Sequence, residues 1–356
     1  MTRHLDIAVV PGDGIGPEVT AVAVDALRQA SEMFGFGLTL REFGFGAARY
    51  LETGVVLDDD DVAELRHHDA ILFGACGDPR VPPGVLERGL VVRLRLAFDQ
   101  YVNLRPVRLL AGVPTAYALM APERVDLVVL RENTEGLYTG GGGTTHRGAA
   151  HEVATQVSTN TRVATERLVR HGFSLAQRRR RKVTLCHKTN ILTHAGDLWQ
   201  RVVDDVAVDF PDVETDYVHV DAMMLHLVTS PERFDVVVTD NLFGDIVSGL
   251  AATLQGGLGY APSGNLDPSR AHPSMFEPVH GSAPDIVGTG RANPVAAVLS
   301  AALLLDHCGE PEAAIAVECA VAAATRALTA HDKTSDIAGR IALSLSRQTT
   351  PQGGPQ

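Results

Sequence analysis

The sequence predicts an α/β protein: two interwoven α/β domains on a mostly parallel sheet, with a protruding arm. Three observations predict it. Short apolar runs at 5–10 (LDIAVV), 69–74 (DAILFG), 126–130 (DLVVL) and 236–238 (VVV) alternate with helix-length stretches, the pattern of βαβ units. These runs are near-continuous rather than alternating, as in strands buried on both faces. The 356 residues suffice for two domains of about 150 residues each, yet neither a linker nor an internal repeat separates them.

Composition narrows the function classes. Forty-three acidic against 31 basic residues leave a net charge of −12, which argues against nucleic acid as a partner. The one basic run, Arg178 to Lys182, precedes a strand and reads as a solvated loop. Cys76, Cys186, Cys308 and Cys319 show no paired or metal-site spacing, and each sits in an apolar context. They read as buried free thiols of a reducing compartment. The longest apolar run, Val295 to Leu305, is far short of the ~20 residues of a membrane span. No signal peptide is visible, so the expectation is a cytoplasmic, non-membrane enzyme.

The first strand, 5–10, runs into Pro11-Gly12-Asp13-Gly14-Ile15-Gly16 and a helix over 17–33. Glycines after a strand let the backbone turn tightly and approach a ligand, although Pro17 breaks the usual dinucleotide fingerprint. A second strand is expected at 38–43, a helix at 59–66 and a third strand at 69–74. Pro79, Pro82 and Pro83 then interrupt regular structure before a helix-like run carrying Arg88, Arg93 and Arg95. Arg105 follows, and Arg131 ends the strand 126–130. A small polyacid substrate would explain these arginines, since guanidinium groups grip carboxylates with two hydrogen bonds. Ordinary surface ion pairs would explain them too.

Residues 139–158, rich in Gly and Thr and then alternating, predict a hairpin arm of the kind that pairs with a second subunit. Helices are expected over 161–172 and 198–210, the latter carrying Trp199 as a core residue. Strands at 183–185 and 213–220 end beside Lys188 and Asp221. The stretch 234–249 (FDVVVTDNLFGDIVSG) changes from buried strand to helix, with helical composition from 246 to 254. Its carboxylates, Asp240 and Asp245, therefore stand at a strand's carboxyl end, where ligands bind in open α/β sheets. Asp240 reads equally as a helix cap and Asp245 as a first-turn acid. A strand at 275–277, the apolar helix from Asn293-Pro294 to His307 and a last helix over 311–328 complete the chain. The tail from Gln348 reads as disordered.

Taken together, the ordered motifs resemble the β-decarboxylating dehydrogenases, the isocitrate/isopropylmalate dehydrogenase family. They are PGDGIGPEV (11–19), NLRP (103–106), RENTEGLY (131–138), HKTN (187–190), HVDA (219–222), NLFGD (241–245), MFEPVHGSAPDI (275–286) and ANP (292–294). The resemblance implies an isopropylmalate dehydrogenase-like fold. Its first domain would hold 1–104 and 256–356; the second would hold 105–255, with the arm at about 139–158. It implies a homodimer with shared active sites. Arg95, Arg105 and Arg131 would bind substrate carboxylates, and Tyr138 would donate a proton. Lys188 and Asp221 would come from the partner subunit. Asp221 and Asp245 would ligate Mg²⁺ or Mn²⁺, hard ions that suit carboxylate oxygens. Glu277, His280, Gly281, Ser282, Ala283, Asp285, Asn293 and Asn190 would hold the cofactor. Asp285 can accept from both ribose hydroxyls and would repel a 2′-phosphate, which implies NAD.

The activity implied is oxidative decarboxylation of 3-isopropylmalate to 4-methyl-2-oxopentanoate, as in leucine biosynthesis. The same chemistry on tartrate, malate or another 3-alkyl- or 3-aryl-malate is the alternative. Leu90, Val91 and Val92 would face the substrate side chain, and their apolar character suits an alkyl group. Family members usually carry Asp where this chain has Gly249, which removes a metal ligand or its support.

Overall fold

The computed structural model describes residues 3–115, 121–329 and 331–348. It divides into two compact units, each assembled from separate stretches of chain: Met1–Gln100, Arg108–Pro122 and Ala252–Gln356 form one, Tyr101–Val107 and Glu123–Ala251 the other. The expected boundaries at 104/105 and 255/256 differ from this mainly at Arg108–Pro122, which returns to the first unit. Local bonds explain the return: Thr325 Oγ1 donates to the Ala111 carbonyl at 3.1 Å, and Arg108 N donates to Gln255 Oε1 at 3.1 Å.

In the first unit the strand order is Gly37–Glu42, His4–Gly12, Ala70–Ala75, Ser274–Pro278, Pro262–Leu266. All neighbours are parallel except the last pair. Gly12, Gly14 and Gly16 follow the first strand, and a Cβ on Gly12 would lie 1.9 Å from the Ala75 carbonyl. Helix Gly16–Phe34 starts there and packs against Val295–His307 and Thr334–Leu345. Helix Asp59–Leu65 begins with a capping box made by Asp58 and Asp61.

The sequence reading lacks several elements of this unit, among them the short helix Ala47–Thr53. Pro262–Leu266 (PSGNL) is strand-poor in composition and is held as a strand by pairing with Ser274–Pro278. Thr334–Leu345 is a further helix after Pro311–Thr325. The tail beyond Gln348 lies outside the described residues.

In the second unit the order is Val102–Arg108 (to Val107), Asp126–Glu132, Val236–Thr239, Lys182–His187, Glu214–His219. Val236–Thr239 is central and wholly buried, and its pairings are parallel. Helix Arg162–Gln177 packs on it, with Gly172 at the crossing: a Cβ there would sit 2.6 Å from Val238 Cγ1. Trp199, on helix Thr193–Ala207, is 1% exposed and donates from its indole to Asn160 Oδ1 at 3.0 Å. Strands Gly142–Thr145 and Val153–Gln156 form an antiparallel hairpin whose eight residues are all exposed.

Three expectations here need correction. Asp221 does not end a strand but lies in the first turn of helix Val220–Thr229. The helix after Asp240 starts at Asn241, so Asp245 lies beyond its first turn. The basic run is no loosely solvated loop: Arg179 Nε donates to buried Asp235 Oδ1 at 2.7 Å, and its Nη2 to Asp126 Oδ1 at 2.8 Å. Asp235 is compensated by Arg179 Nε and by Arg180 N, which donates to its Oδ2 at 2.8 Å, and this makes the run an ionic latch at the strands' amino ends.

Cys186 and Cys308 are buried as expected, with burial pushing each thiol up to about 12, but Cys319 is exposed. Among the described residues no helix is long and apolar enough to cross a membrane.

Because Gly172 admits no side chain without overlap, Gly172→Ala is expected to cost about 1–3 kcal/mol, the usual penalty of overpacking. A lower urea midpoint at unchanged helical content would check it; unaltered stability would show that the crossing can yield.

Candidate active site

The second unit gathers four of the expected site residues. Arg131, at the end of Asp126–Glu132, is 1% exposed. A buried guanidinium needs fixed partners, and Asn241 supplies them. Its Oδ1 accepts from Arg131 Nε at 3.0 Å and from Nη2 at 2.7 Å. The remaining nitrogen, Nη1, donates to Asp245 Oδ1 in a very short contact. Tyr138 donates its hydroxyl to Asp245 Oδ2 at 3.0 Å, and its ring lies 4.7 Å from the Arg131 guanidinium carbon. Arg105 approaches Asp245 at 3.6 Å and donates to Ser248 Oγ at 2.6 Å. Gly244 lets the helix start come this close, since a Cβ there would lie 2.6 Å from the Arg131 side chain.

The turn between Arg131 and Tyr138 is built by Glu132. Its buried carboxylate accepts from Thr134 N, Thr134 Oγ1 and Glu135 N, the last two at 2.7 Å. Asn241 Nδ2 donates to the Glu135 carbonyl at 2.9 Å, tying that turn to the helix. Burial pushes the Glu132 carboxyl up, partly offset by these donors, and burial also raises the Tyr138 phenol. Asn241, Glu132 and Ser248 were absent from the sequence reading. Asn241 and Glu132 lay inside the NLFGD and RENTEGLY motifs, but a neutral amide or a capping acid gives no signal before its partners are known.

Lys188 and Asp221 form a second cluster in the same unit. Lys188 Nζ donates to Asp221 Oδ1 at 2.7 Å, and this bond lowers the Asp221 carboxyl. Asn190 follows in the same turn and is exposed.

The first unit carries the remaining candidates. Arg95 is buried and donates to Glu277 Oε1 at 3.2 Å, while Asn265 donates to the same oxygen at 2.7 Å. Glu277, expected beside the cofactor, is thus engaged by Arg95 and Asn265. Leu90, expected to face substrate, is wholly buried in the hydrophobic cluster with Val56, Leu86 and Leu94, and Val91 packs against that cluster. Helical winding turns Leu90 inward, which the run of apolar residues did not reveal. The loop His280–Asp285 rests on the first glycine-rich turn: Ile15 N donates to the Ser282 carbonyl at 2.9 Å, and a Cβ on Gly14 would strike that oxygen. Ala283 is held at φ +41°, whereas Gly281 faces open space. Asp285 is exposed, and Asn293 Oδ1 caps the Val295 N–H at 3.0 Å.

The chain matches the isocitrate/isopropylmalate dehydrogenase family over residues 6–351. It belongs to that family. The dehydrogenase is 54% identical over 355 residues to the 3-isopropylmalate dehydrogenase of Clavibacter michiganensis, covering 97% of this chain and 99% of that one. It is 56% identical over 321 residues to that of Thermobifida fusca, covering 90% and 91%. Among solved structures, the isocitrate dehydrogenase of Methylococcus capsulatus superposes with a TM-score of 0.86 at 36% identity, over 96% of this chain and 100% of that one.

Beside the cluster, burial sets two titrations against each other. Asp240 caps helix Asn241–Leu254, accepting from Phe243 N at 2.7 Å, and burial pushes its carboxyl up to about 6. His187 is 0% exposed between Trp199 and Phe243, and burial pushes it down to about 4. The two approach at 3.5 Å without hydrogen-bond geometry at either imidazole nitrogen. Raised in the fold, Asp240 contributes stability that is present below its unfolded pKa of 3.8 and lost as pH rises through about 6. Depressed in the fold, His187 contributes stability that is present above 6.5 and lost as pH falls through about 4. Their slopes oppose each other between about pH 4 and 6. Asp240→Asn keeps the cap and removes one slope. The variant is therefore expected to gain stability with rising pH over that window where the wild type stays nearly flat. Urea midpoints at half-unit pH steps read this, and parallel curves for the two proteins would contradict it.

Proposed function

We propose that this dehydrogenase oxidises 3-isopropylmalate and decarboxylates it to 4-methyl-2-oxopentanoate, reducing NAD, in the manner of leucine biosynthesis. The observation that carries the reading is the Arg105–Arg131–Tyr138 cluster around Asp245, in a chain more than half identical along nearly its whole length to proteins named 3-isopropylmalate dehydrogenase. Two guanidinium groups beside a phenol suit a hydroxy-diacid.

The residues fit the groups such a reaction needs. His280 Nε2 is buried without a hydrogen-bond partner in the loop beside Gly281 and Asp285, which supports adenosine binding there. The exposed Asp285 carboxylate favours NAD over a 2′-phosphorylated cofactor. Among the described residues no three His, Cys, Asp or Glu converge to hold an ion. Mg²⁺ or Mn²⁺ would instead rest on Asp245, on Asp221 lent by a second copy, and on substrate oxygens, as hard ions with few carboxylate ligands do. When bound, NAD accepts hydride and the ion provides a Lewis acid beside the substrate oxygens. Arg105 and Arg131 orient the carboxylates. Lys188, as the neutral amine, takes the hydroxyl proton on Nζ beside Asp221, and Tyr138 returns a proton to carbon after CO₂ leaves.

A homodimer is part of this reading. Ile191 and Leu192 beside Lys188, Leu225 on Val220–Thr229 and Ile246 on Asn241–Leu254 are all large and exposed, and the hairpin is exposed throughout. Large apolar side chains exposed at these places support cover by a second chain.

NADH formation is expected to be fastest with 3-isopropylmalate in a panel containing malate, tartrate and isocitrate. Preference for tartrate or unsubstituted malate would defeat the assignment. Lys188→Met and Asp245→Asn should each lower kcat by about 10²-fold or more, as loss of a proton-transfer or charge-stabilising group does. Gly249 has nothing within 4 Å of a built Cβ, so Gly249→Asp fits without strain. It is expected to tighten Mn²⁺ several-fold in titration calorimetry; unchanged affinity would show that Gly249 does not limit ion binding.

A further inference from the structure

Lys188 reaches Asp221 across the gap between two strand ends, and a long flexible amine keeps one geometry only if its own backbone is held. The holding group is a phenol outside the cluster described above. Strands Lys182–His187 and Glu214–His219 run parallel, with Leu185 opposite Tyr217 and His187 opposite His219. From that register the Tyr217 side chain reaches the turn that carries Lys188. Its hydroxyl oxygen lies 3.1 Å from Thr189 N, 2.9 Å from Thr189 Oγ1 and 3.2 Å from the His187 carbonyl. It lies 2.6 Å from His219 Nδ1. Residues on both sides of Lys188 therefore meet at one oxygen.

The bonding is consistent with a single phenol. Thr189 N can only donate and the His187 carbonyl can only accept. One proton and two lone pairs on the hydroxyl serve both and leave one lone pair, which takes a donor from either Thr189 Oγ1 or the His219 imidazole. His219 is the residue before helix Val220–Thr229, and Asp221 lies in that helix's first turn. Tyr217 thus joins the backbone that carries the amine to the strand–helix junction that carries the carboxylate.

We propose that Tyr217 is a positioning residue: its hydroxyl fixes the Lys188 turn against the His219 junction, so that Nζ stays within hydrogen-bond reach of Asp221. This rests on the reading above that Lys188 moves the substrate proton. Tyr217 does not touch the reacting atoms; it acts through Thr189, His187 and His219. The alternative is that the hydroxyl only satisfies the Thr189 N–H and matters for stability alone.

Tyr217→Phe removes the oxygen and keeps the ring. With the best substrate of the hydroxy-acid panel, kcat per folded enzyme is expected to fall about 10- to 100-fold, the scale of a displacement near 1 Å. KM for the hydroxy acid should stay within about twofold, because the arginine cluster is untouched. Thr189→Val removes one of the donors and should give a smaller loss in the same direction; it serves if Tyr217→Phe folds poorly. A crystal structure of the variant is expected to show the Lys188–Asp221 hydrogen bond broken. Wild-type kcat in folded variants, or an intact Lys188–Asp221 contact, overturns the proposal. If the wild-type enzyme turns over none of the panel, the functional reading fails instead, and the crystallographic comparison still decides the positioning role.

Discussion

The buried guanidinium of Arg131 is the constraint on which the second unit's site depends. Removing such a group from water costs several kcal/mol unless its donors are matched. Asn241 takes two of its nitrogens with a single oxygen, and Asp245 meets the third. Because Asn241 also holds the Glu135 carbonyl, the arginine, the turn leading to Tyr138 and the start of helix Asn241–Leu254 form one hydrogen-bonded piece. The positive end of the cluster is therefore pre-set before any substrate arrives, and binding spends little on ordering it.

Glycines decide how near these backbones come. Gly244 brings the helix start against Arg131, and Gly172 lets helix Arg162–Gln177 sit on the central strand. In the first unit Gly14 lets the turn after the first strand support the Ser282 backbone, so the glycine-rich turn acts as a bed for the loop His280–Asp285. At Gly172 and Gly244 the missing Cβ is what matters, whereas Gly14 also adopts a left-handed φ of +62°.

Burial also tunes the acids and bases around the site in opposite senses. Asp240 and Glu132 are pushed up and His187 is pushed down, each chiefly because charge is costly away from water. Asp245 and Asp221, by contrast, are open enough to meet an ion, and each is already faced by a cation, Arg131 or Lys188. Carboxylates that look alike in the chain thus divide into structural caps and candidate ligands by depth alone.

The sequence determined the α/β class, the two interleaved units and the identity of the motifs. Continuous apolar runs, glycine turns and ordered charged residues are local signals, legible without neighbours. It also placed Arg105, Arg131 and Asp245 among the candidates, because charged residue types stand out near the ends of elements, and Tyr138 through the resemblance of its motif. What only the tertiary structure decided is which groups face which. Leu90 turned out to be core, Glu277 the partner of Arg95, and Asp240 a buried cap beside His187. Asn241 and Tyr217 became visible only through their partners, since an amide or a phenol acquires its role from groups that lie far away in the chain and close in space.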